Sequence, residues 1–337
     1  MPSSDAIIIG GGVNGLACAA RLAAKGRKVV LLEAGSAAGG GAGLVEFTPG
    51  YHAPALAHTT QGLDPRVIKG MKLERHGLAF HAPLSTTALG TDGNHLAVLG
   101  GKTSGPDAAA YAALHRKLSD FARVLAPFRG ITPPRLTTKG NEWGKLGLYG
   151  LGVRALGRAD FREFLRMILI NVHDVVQDEL TDDRLRGLIA FDTTLGSWLG
   201  PRSPNSLILY LNRLSMGADP LLPKGGMGAL AAAMARAATA EGVTLRTGTR
   251  VAKVIVEGDR AVGVTLDTGE DLRAGLVISA INPRLTFQTL VGPRHLDTGF
   301  FTATTHIRSR GAAAKLTLAL TGTPDFRGAD IGSRLVI

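Results

Sequence analysis

Three glycines in the stretch Gly10-Gly11-Gly12-Val13-Asn14-Gly15 stand at the spacing G-x-G-x-x-G, and an acid, Glu33, closes the apolar run that follows. That pattern carries a specific chemistry. The first glycine permits a tight turn, the second lets backbone come against a diphosphate, and the third allows a helix to pack closely. A helix opening at Asn14 would present oriented N–H groups and positive potential to a diphosphate. Glu33 is placed to accept hydrogen bonds from ribose hydroxyls and would repel a 2′-phosphate, so the residues point to an adenine dinucleotide other than NADP. On these residues alone NAD and FAD both remain open.

The elements needed to hold such a turn are in the right order. Asp5 to Gly10 reads as a short buried strand, Asn14 to Lys25 as an alanine- and leucine-rich helix, and Lys28 to Glu33 as a second strand, which together make a βαβ unit. Gly39 to Gly43 is a second glycine-rich turn, and Tyr51 to Gly62 reads as a loop. From about Ala108 to Gln177 the pattern becomes helical, with predicted helices Ala108 to Leu125 and Phe161 to Val176 on either side of Pro133 and Pro134. Gly225 to Gly242 then reads as a glycine turn opening a helix. Val243 to Leu245, Arg250 to Glu257, Arg260 to Leu266 and Leu276 to Ser279 read as strands, with hairpin turns at Glu257-Gly258-Asp259 and Thr268-Gly269. Ala312 to Leu320 alternates and is predicted as a further strand. The expected fold class is α/β, a Rossmann-like dinucleotide domain of the glutathione reductase βαβ type with an inserted helix-rich α+β domain.

Beyond Glu33 the sequence resembles the FAD proteins whose βαβ unit continues as E-x5-G-G: Gly15, Ala19, Leu22, Gly26, Val29, Glu33, Gly39 and Gly40 all fall at its positions. Gly10 to Leu16 is similar to the GGGHNGL signature of the phytoene desaturase-like group, which includes the pyridine nucleotide-disulfide oxidoreductase domain-containing proteins and is related to the amine oxidases. Pro49-Gly50-Tyr51, Leu73 to Leu78, Lys224 to Leu230, Arg246 to Val256, Val277 to Ala280, and Ala313-Lys315-Leu316 with Pro324-Asp325-Phe326 look like that group too. The resemblance implies FAD, held by Gly10, Gly12, Asn14, Gly15, Glu33, Ala34, Gly39, Gly40, Gly41 and Ala42, with Val251 meeting the adenine through its backbone and Ser279 close by. It implies an FAD domain from residues 1–80 and 223–290, a substrate domain over 81–222, and the start of a return into that domain over 291–337. The activity it implies is dehydrogenation of an apolar small molecule, carotenoid- or lipid-like, with an amine oxidase as the enzymatic alternative and a flavin-binding protein without turnover as the other. Val13 replaces the histidine of the signature, and Leu44 stands where threonine is common. A late glycine-rich segment that covers the flavin in such proteins has no counterpart within the 337 residues. The expectation is therefore a shortened chain with weakly held FAD and a tendency to self-associate.

Lysine and arginine number 38 against 27 acids, a net charge of +11. The basic residues are dispersed, aromatics are 5% and no nucleic-acid-binding signature occurs, so a nucleic-acid partner is not expected. Within Trp143 to Asn171, Lys145, Arg154, Arg158, Arg162 and Arg166 alternate with Leu, Ile, Met and Phe. Such a helix either rests on an anionic membrane surface or packs on a core with a solvated basic face. The single cysteine, Cys18, excludes a cysteine zinc cluster and fits a reducing compartment. Asp5 and the glycine turn argue against a signal peptide, and no run is long enough to span a bilayer, so a cytoplasmic protein is expected, with peripheral membrane contact as the one membrane role. His52 and His58 can tune a flavin or serve only as loop residues. His173 and Asp174 are adjacent on a helix and do not face each other, and no metal site or catalytic side chain is assigned.

Overall fold

The computed structural model describes residues 4–132, 142–217, 219–309, 311 and 313–337. In chain order the elements are β1 (Ser4–Ile9), α1 (Val13–Ala23), β2 (Val29–Leu32), β3 (Leu44–Thr48), β4 (Tyr51–Pro54), α2 (Pro65–Gly70), β5 (Thr86–Ala88), β6 (Leu96–Val98) and α3 (Ala108–Leu125). Next come α4 (Glu142–Arg154), α5 (Gly157–Leu169), α6 (Val172–Glu179), α7 (Asp183–Thr194), α8 (Leu207–Leu214) and α9 (Gly226–Ala240). The chain continues through β7 (Thr244–Arg246), β8 (Val251–Glu257), β9 (Arg260–Leu266), β10 (Asp271–Ser279), α10 (Thr298–Thr305) and β11 (Arg334–Val336). The described residues divide into two units, one drawn from within 1–81, 222–309 and 315–319, the other from within 82–221, 310–314 and 320–337.

The first unit is built on a six-stranded sheet in the order β7-β2-β1-β10-β9-β8. β1 lies parallel between β2 and β10, with Ile8 opposite Leu31 on one side and Ile278 on the other. Its residues Ala6 to Ile9 are buried on both faces, which is why the run reads as continuous rather than alternating. β10 serves two partners. Asp271 to Arg273 pair antiparallel with β9, while Ala274 to Ser279 run parallel to β1. The β8–β9 hairpin closes through Gly258 and Asp259, both at positive φ, as a two-residue turn of the I′ kind requires. On one face α1 packs Leu16, Ala19, Ala20 and Ala23 against Met227, Leu230, Met234 and Ala237 of α9. The small residues let the two helices lie close, and fully buried Leu16 contributes about 1.5–3 kcal/mol. The opposite face carries a smaller core of Ile7, Ile9, Leu32, Val264 and Leu266.

In the second unit, α3, α5, α6, α7 and α8 enclose a core of Leu114, Leu118, Phe121, Met167, Leu185 and Leu211, and a small sheet of order β11-β5-β6 accompanies them. Asp107 accepts from the backbone N–H of Thr181 and Asp182 and from the Thr181 hydroxyl, joining α3's start to the α6–α7 connection. Those bonds, the one from Asp182 N–H foremost and the Thr181 hydroxyl next, hold its carboxyl below the usual carboxylate range. Asp192 pairs with Arg213 at 3.2 Å and with Arg334, all three side chains being only 10 to 12% exposed. Burial pulls the Arg213 guanidinium down, and Asp192 opposes that shift.

Three sequence expectations need correction. The helix expected over Phe161 to Val176 is two helices, α5 and α6. Ile170 and Asn171 are extended, and Asn171 caps α6 by accepting from Asp174 N–H, so an asparagine that prefers a cap overrides the apolar period. The strand expected over Ala312 to Leu320 is absent over residues 313–320: no described strand pairs with it, and Leu316, Leu318 and Leu320 are 81, 64 and 53% exposed. Alternation makes a strand only where a neighbouring strand supplies a ladder; without one the exposed backbone bonds to water. Tyr51 to Pro54 is not loop but β4, hairpinned with β3. The short strands β5, β6 and β11 were not anticipated. Pro133 and Pro134 lie outside the described residues.

The Asp192 pairing generates a prediction. Asp192→Ala strands two nearly buried guanidinium groups, and the expected loss in urea denaturation is about 3–5 kcal/mol. Asp192→Ala together with Arg213→Met and Arg334→Met should recover most of that loss.

Candidate functional site

The glycine turn sits where β1 ends and α1 begins, in the first unit. Gly10 N–H donates to Leu32 O at 2.8 Å, continuing the β1–β2 ladder by one residue, and the chain then turns into α1. Gly12 is the N-cap of α1, and no side chain caps its first turn. The N–H groups that open the helix are thus left for another acceptor. The second glycine segment lies against the first: Gly39 N–H donates to Gly11 O at 2.8 Å, and Gly12 and Gly39 form an isolated parallel bridge. Gly40 to Ala42 make one 3-10 turn from which β3 departs.

Glu33 links the pieces. Its Oε2 accepts from Gly11 N–H and its Oε1 from Gly35 N–H, both at 2.7 Å. Thr249 N–H donates to Glu33 O at 2.8 Å and Gly248 N–H to Gly35 O at 2.7 Å, bringing the approach to β8 alongside. Each carboxylate oxygen keeps a lone pair, so the group can still accept from a hydroxyl.

The glycines differ in what demands them. A Cβ on Gly15 would meet Gly10 O at 2.0 Å, so close packing of helix on turn excludes any side chain there. Gly39, at φ +143°, would set a Cβ 2.7 Å from the Gly43 Cα. Gly12 differs from both: its φ of −68° suits any residue, and its Cβ would approach only the Gly40 Cα, at 3.9 Å. The protein's own packing leaves the space over Gly12 open. An open backbone cradle facing uncapped helix N–H groups, with an acid beside it, is a donor and acceptor set that fits a dinucleotide diphosphate and ribose.

A pocket of about 340 Å³ adjoins this turn, lined by Val13, Asn14 and Ala17 of α1, by Gly41 and Ala42, and by residues 59–64. Met227, Leu230 and Met234 supply its apolar wall. Gln61 is among the lining residues, and its side-chain Nε2 is buried with no hydrogen-bond partner. Nothing in the sequence marked Gln61, because a glutamine in a loop has no periodic or spacing signal.

The structure gathers Gly10, Gly12, Asn14, Gly15, Glu33, Gly39, Gly40, Gly41 and Ala42 around the turn; Asn14 and Ala34 are exposed there, whereas Ala42 is buried. Ser279 pairs with Ile9 beside Gly10, but its hydroxyl bonds the Thr286 hydroxyl at 2.6 Å. Val251 buries its side chain, leaving only its backbone for a ligand. His52 sits on β4 opposite Glu46, and His58 is exposed in the loop beyond. Asp174 belongs to the α6 cap, where its carboxylate accepts from the Asn171 side chain, and His173 N–H donates to Pro201 O. Burial raises the pKa of the Cys18 thiol, away from thiolate reactivity. Among the described residues there is no metal-binding cluster and no helix long and apolar enough to cross a membrane.

Residues 14–327 match the model of the flavin containing amine oxidoreductase family, and the chain belongs to that family. It is 27% identical to the pyridine nucleotide-disulfide oxidoreductase domain-containing protein 2 of Mus musculus, over 97% of this chain and 62% of that protein. It is 26% identical to a neurosporene-forming phytoene desaturase of Cereibacter sphaeroides, over the whole of this chain and 64% of the relative. Among solved structures, an oxidoreductase from Methanosarcina mazei shares the fold, with a TM-score of 0.57 and 18% identity over 89% of this chain and 64% of the other. The chain thus spans a little over three fifths of the length of the relatives it matches.

Removing the Glu33 carboxylate should weaken the turn even without any ligand, since buried Gly11 N–H then has no acceptor. Glu33→Ala is expected to cost about 1–3 kcal/mol in denaturant unfolding of flavin-free protein. Glu33→Gln, which keeps one acceptor oxygen, should fall between that variant and wild type; equal stability of all three would show that the carboxylate only faces solvent.

Proposed function

We propose that this chain holds FAD across the Gly10 to Gly15 turn, Glu33 and Gly39 to Ala42, and that the whole protein is an FAD-dependent oxidoreductase carrying out desaturase-like dehydrogenation of an apolar small molecule. Gly12 carries the reading of the site. Neither its backbone angles nor its neighbours call for glycine, so what the missing side chain leaves room for is a ligand lying against the backbone. Membership of a flavin containing family supports a flavin as that ligand, and a dinucleotide turn with an acid at the ribose position suits FAD rather than the mononucleotide.

In this reading the α1 N–H groups at Val13 and Asn14 and the backbone of Gly40 and Gly41 hold the diphosphate, and Glu33 accepts from the adenosine ribose. The backbone at Val251 and the strand end at Ser279 flank the adenine. When bound, the isoalloxazine supplies a two-electron acceptor for the substrate. The chain's own part is to bind, orient and exclude water; no side chain is assigned a proton transfer. The first unit is the FAD domain and the second the substrate domain. Exposed Leu44, Val45, Phe47 and Tyr51 on the β3–β4 hairpin, which leaves directly from the Gly40 to Ala42 turn, support an apolar substrate. The likeness to a phytoene desaturase supports the same substrate class.

The first test is the visible absorbance of the purified protein with added FAD, beside Gly12→Val. Wild type should retain flavin and the variant should not, with circular dichroism unchanged; undiminished flavin in Gly12→Val sinks the site. A competition titration should show FAD bound and NADP not, because the Glu33 carboxylate and a 2′-phosphate repel each other. For the reaction, anaerobic mixing of FAD-loaded protein with a polyene should bleach the flavin band. Bleaching by a primary amine instead, with hydrogen peroxide formed in air, would turn the assignment to amine oxidation.

A further inference from the structure

The pocket beside the glycine turn contains one polar group that the fold leaves unused. Gln61 lines it, and its Nε2 is buried without a partner, a condition that is unfavourable until something relieves it. The nearby acid is already committed: Asp64 caps α2 by accepting from Arg66 N–H and pairs with the Arg66 guanidinium. Val13, Asn14 and Ala17 of α1 line the same pocket, and the uncapped N–H groups and dipole at that helix start select for negative charge. Gly41 and Ala42 border the same space. A residue with an unpartnered N–H donor thus borders the same pocket as a helix terminus that favours anions.

Resting on the FAD reading above, we propose that Gln61 is a cofactor-binding residue whose Nε2 donates a hydrogen bond to an oxygen in the diphosphate–ribityl middle of FAD. The bound cofactor then relieves a buried donor that the protein's own described groups leave unsatisfied. Flavin-free protein carries that cost, so the residue favours the loaded state beyond the strength of the bond itself.

The two roles open to a buried glutamine predict opposite signs. Gln61→Met keeps nearly the same volume and removes the donor, so flavin-free protein should melt at the same temperature or higher. Its FAD dissociation constant should nevertheless rise about tenfold or more, as for a lost bond to a charged group. Gln61→Glu keeps the shape but sets a carboxylate near the diphosphate, and should weaken FAD further than Gln61→Met. FAD affinity is read by quenching of flavin fluorescence, and melting of flavin-free protein by circular dichroism.

A Gln61→Met protein with wild-type FAD affinity would overturn the proposal. So would a loss of affinity matched by a drop in flavin-free melting temperature, which belongs to a packing role. Gly12→Val separates this idea from the one beneath it. If that variant loses FAD while Gln61→Met keeps it, the site stands and the role of Gln61 falls; if wild type takes up no FAD, both fall together.

Discussion

Backbone meeting backbone at the head of α1 is the constraint from which the rest of the first unit follows. Gly39 reaches Gly11 at 2.8 Å, a distance that depends on neither segment having a Cβ in the way, and the contact fixes the second glycine turn over the first. Once those segments are joined, the direction of α1, the departure of the β3–β4 hairpin and the placement of α9 under Gly39 are set. Ala231 of α9 lies where a Cβ on Gly39 would be, 2.8 Å from it. Glu33 adds a directional lock, because one oxygen binds the Gly11 N–H of the turn and the other the Gly35 N–H just beyond β2. The same carboxylate thus sets the geometry of the turn and, in the proposed site, accepts from the ribose, so changes there would act on shape and recognition together.

The sequence showed clearly those parts that depend on local rules. The β1-α1-β2 unit was legible because its strands are buried on both faces and its helix opens on glycines, and α3 was legible over its full length from period and composition. The β8 to β10 meander was legible from its turns at Gly258 and Gly269, although β10 begins five residues earlier than its apolar core suggests, at Asp271 rather than Leu276. Asn171 shows where local reading failed: it occupies the helical period and still ends the helix run, since its side chain does more for the backbone as a cap. Residues 313–320 show the complementary failure, an alternating pattern that needs a partner strand to become one.

For the site, glycine spacing and the acid could be read because each has a backbone or hydrogen-bonding reason independent of the fold. Which glycine the fold itself leaves unexplained could not, since that depends on neighbours contributed by residue 40. The same holds for the hydroxyl of Ser279, taken up by Thr286, and for Gln61, whose interest lies wholly in what surrounds it.

The way β1 is flanked has a consequence for biosynthesis. Its neighbour on one side, β2, leaves the ribosome almost at once, whereas its neighbour on the other, β10, is encoded more than two hundred residues later, with Ser4 finally opposite Ala274. At ordinary elongation rates of about 5–20 residues per second, β1 waits on the order of tens of seconds with one edge open. During that interval Ile7 and Ile8, fully buried in the finished sheet, lack half of their cover. The whole segment 82–221 emerges meanwhile, and the chain rejoins the first unit where His81 N–H meets Leu222 O and Lys224 N–H meets Ala79 O, at 3.0 and 2.8 Å. The nascent N-terminal βαβ thus keeps an unpaired edge through that interval, and its glycine turn meets Ile281 only after more than two hundred further residues have been made.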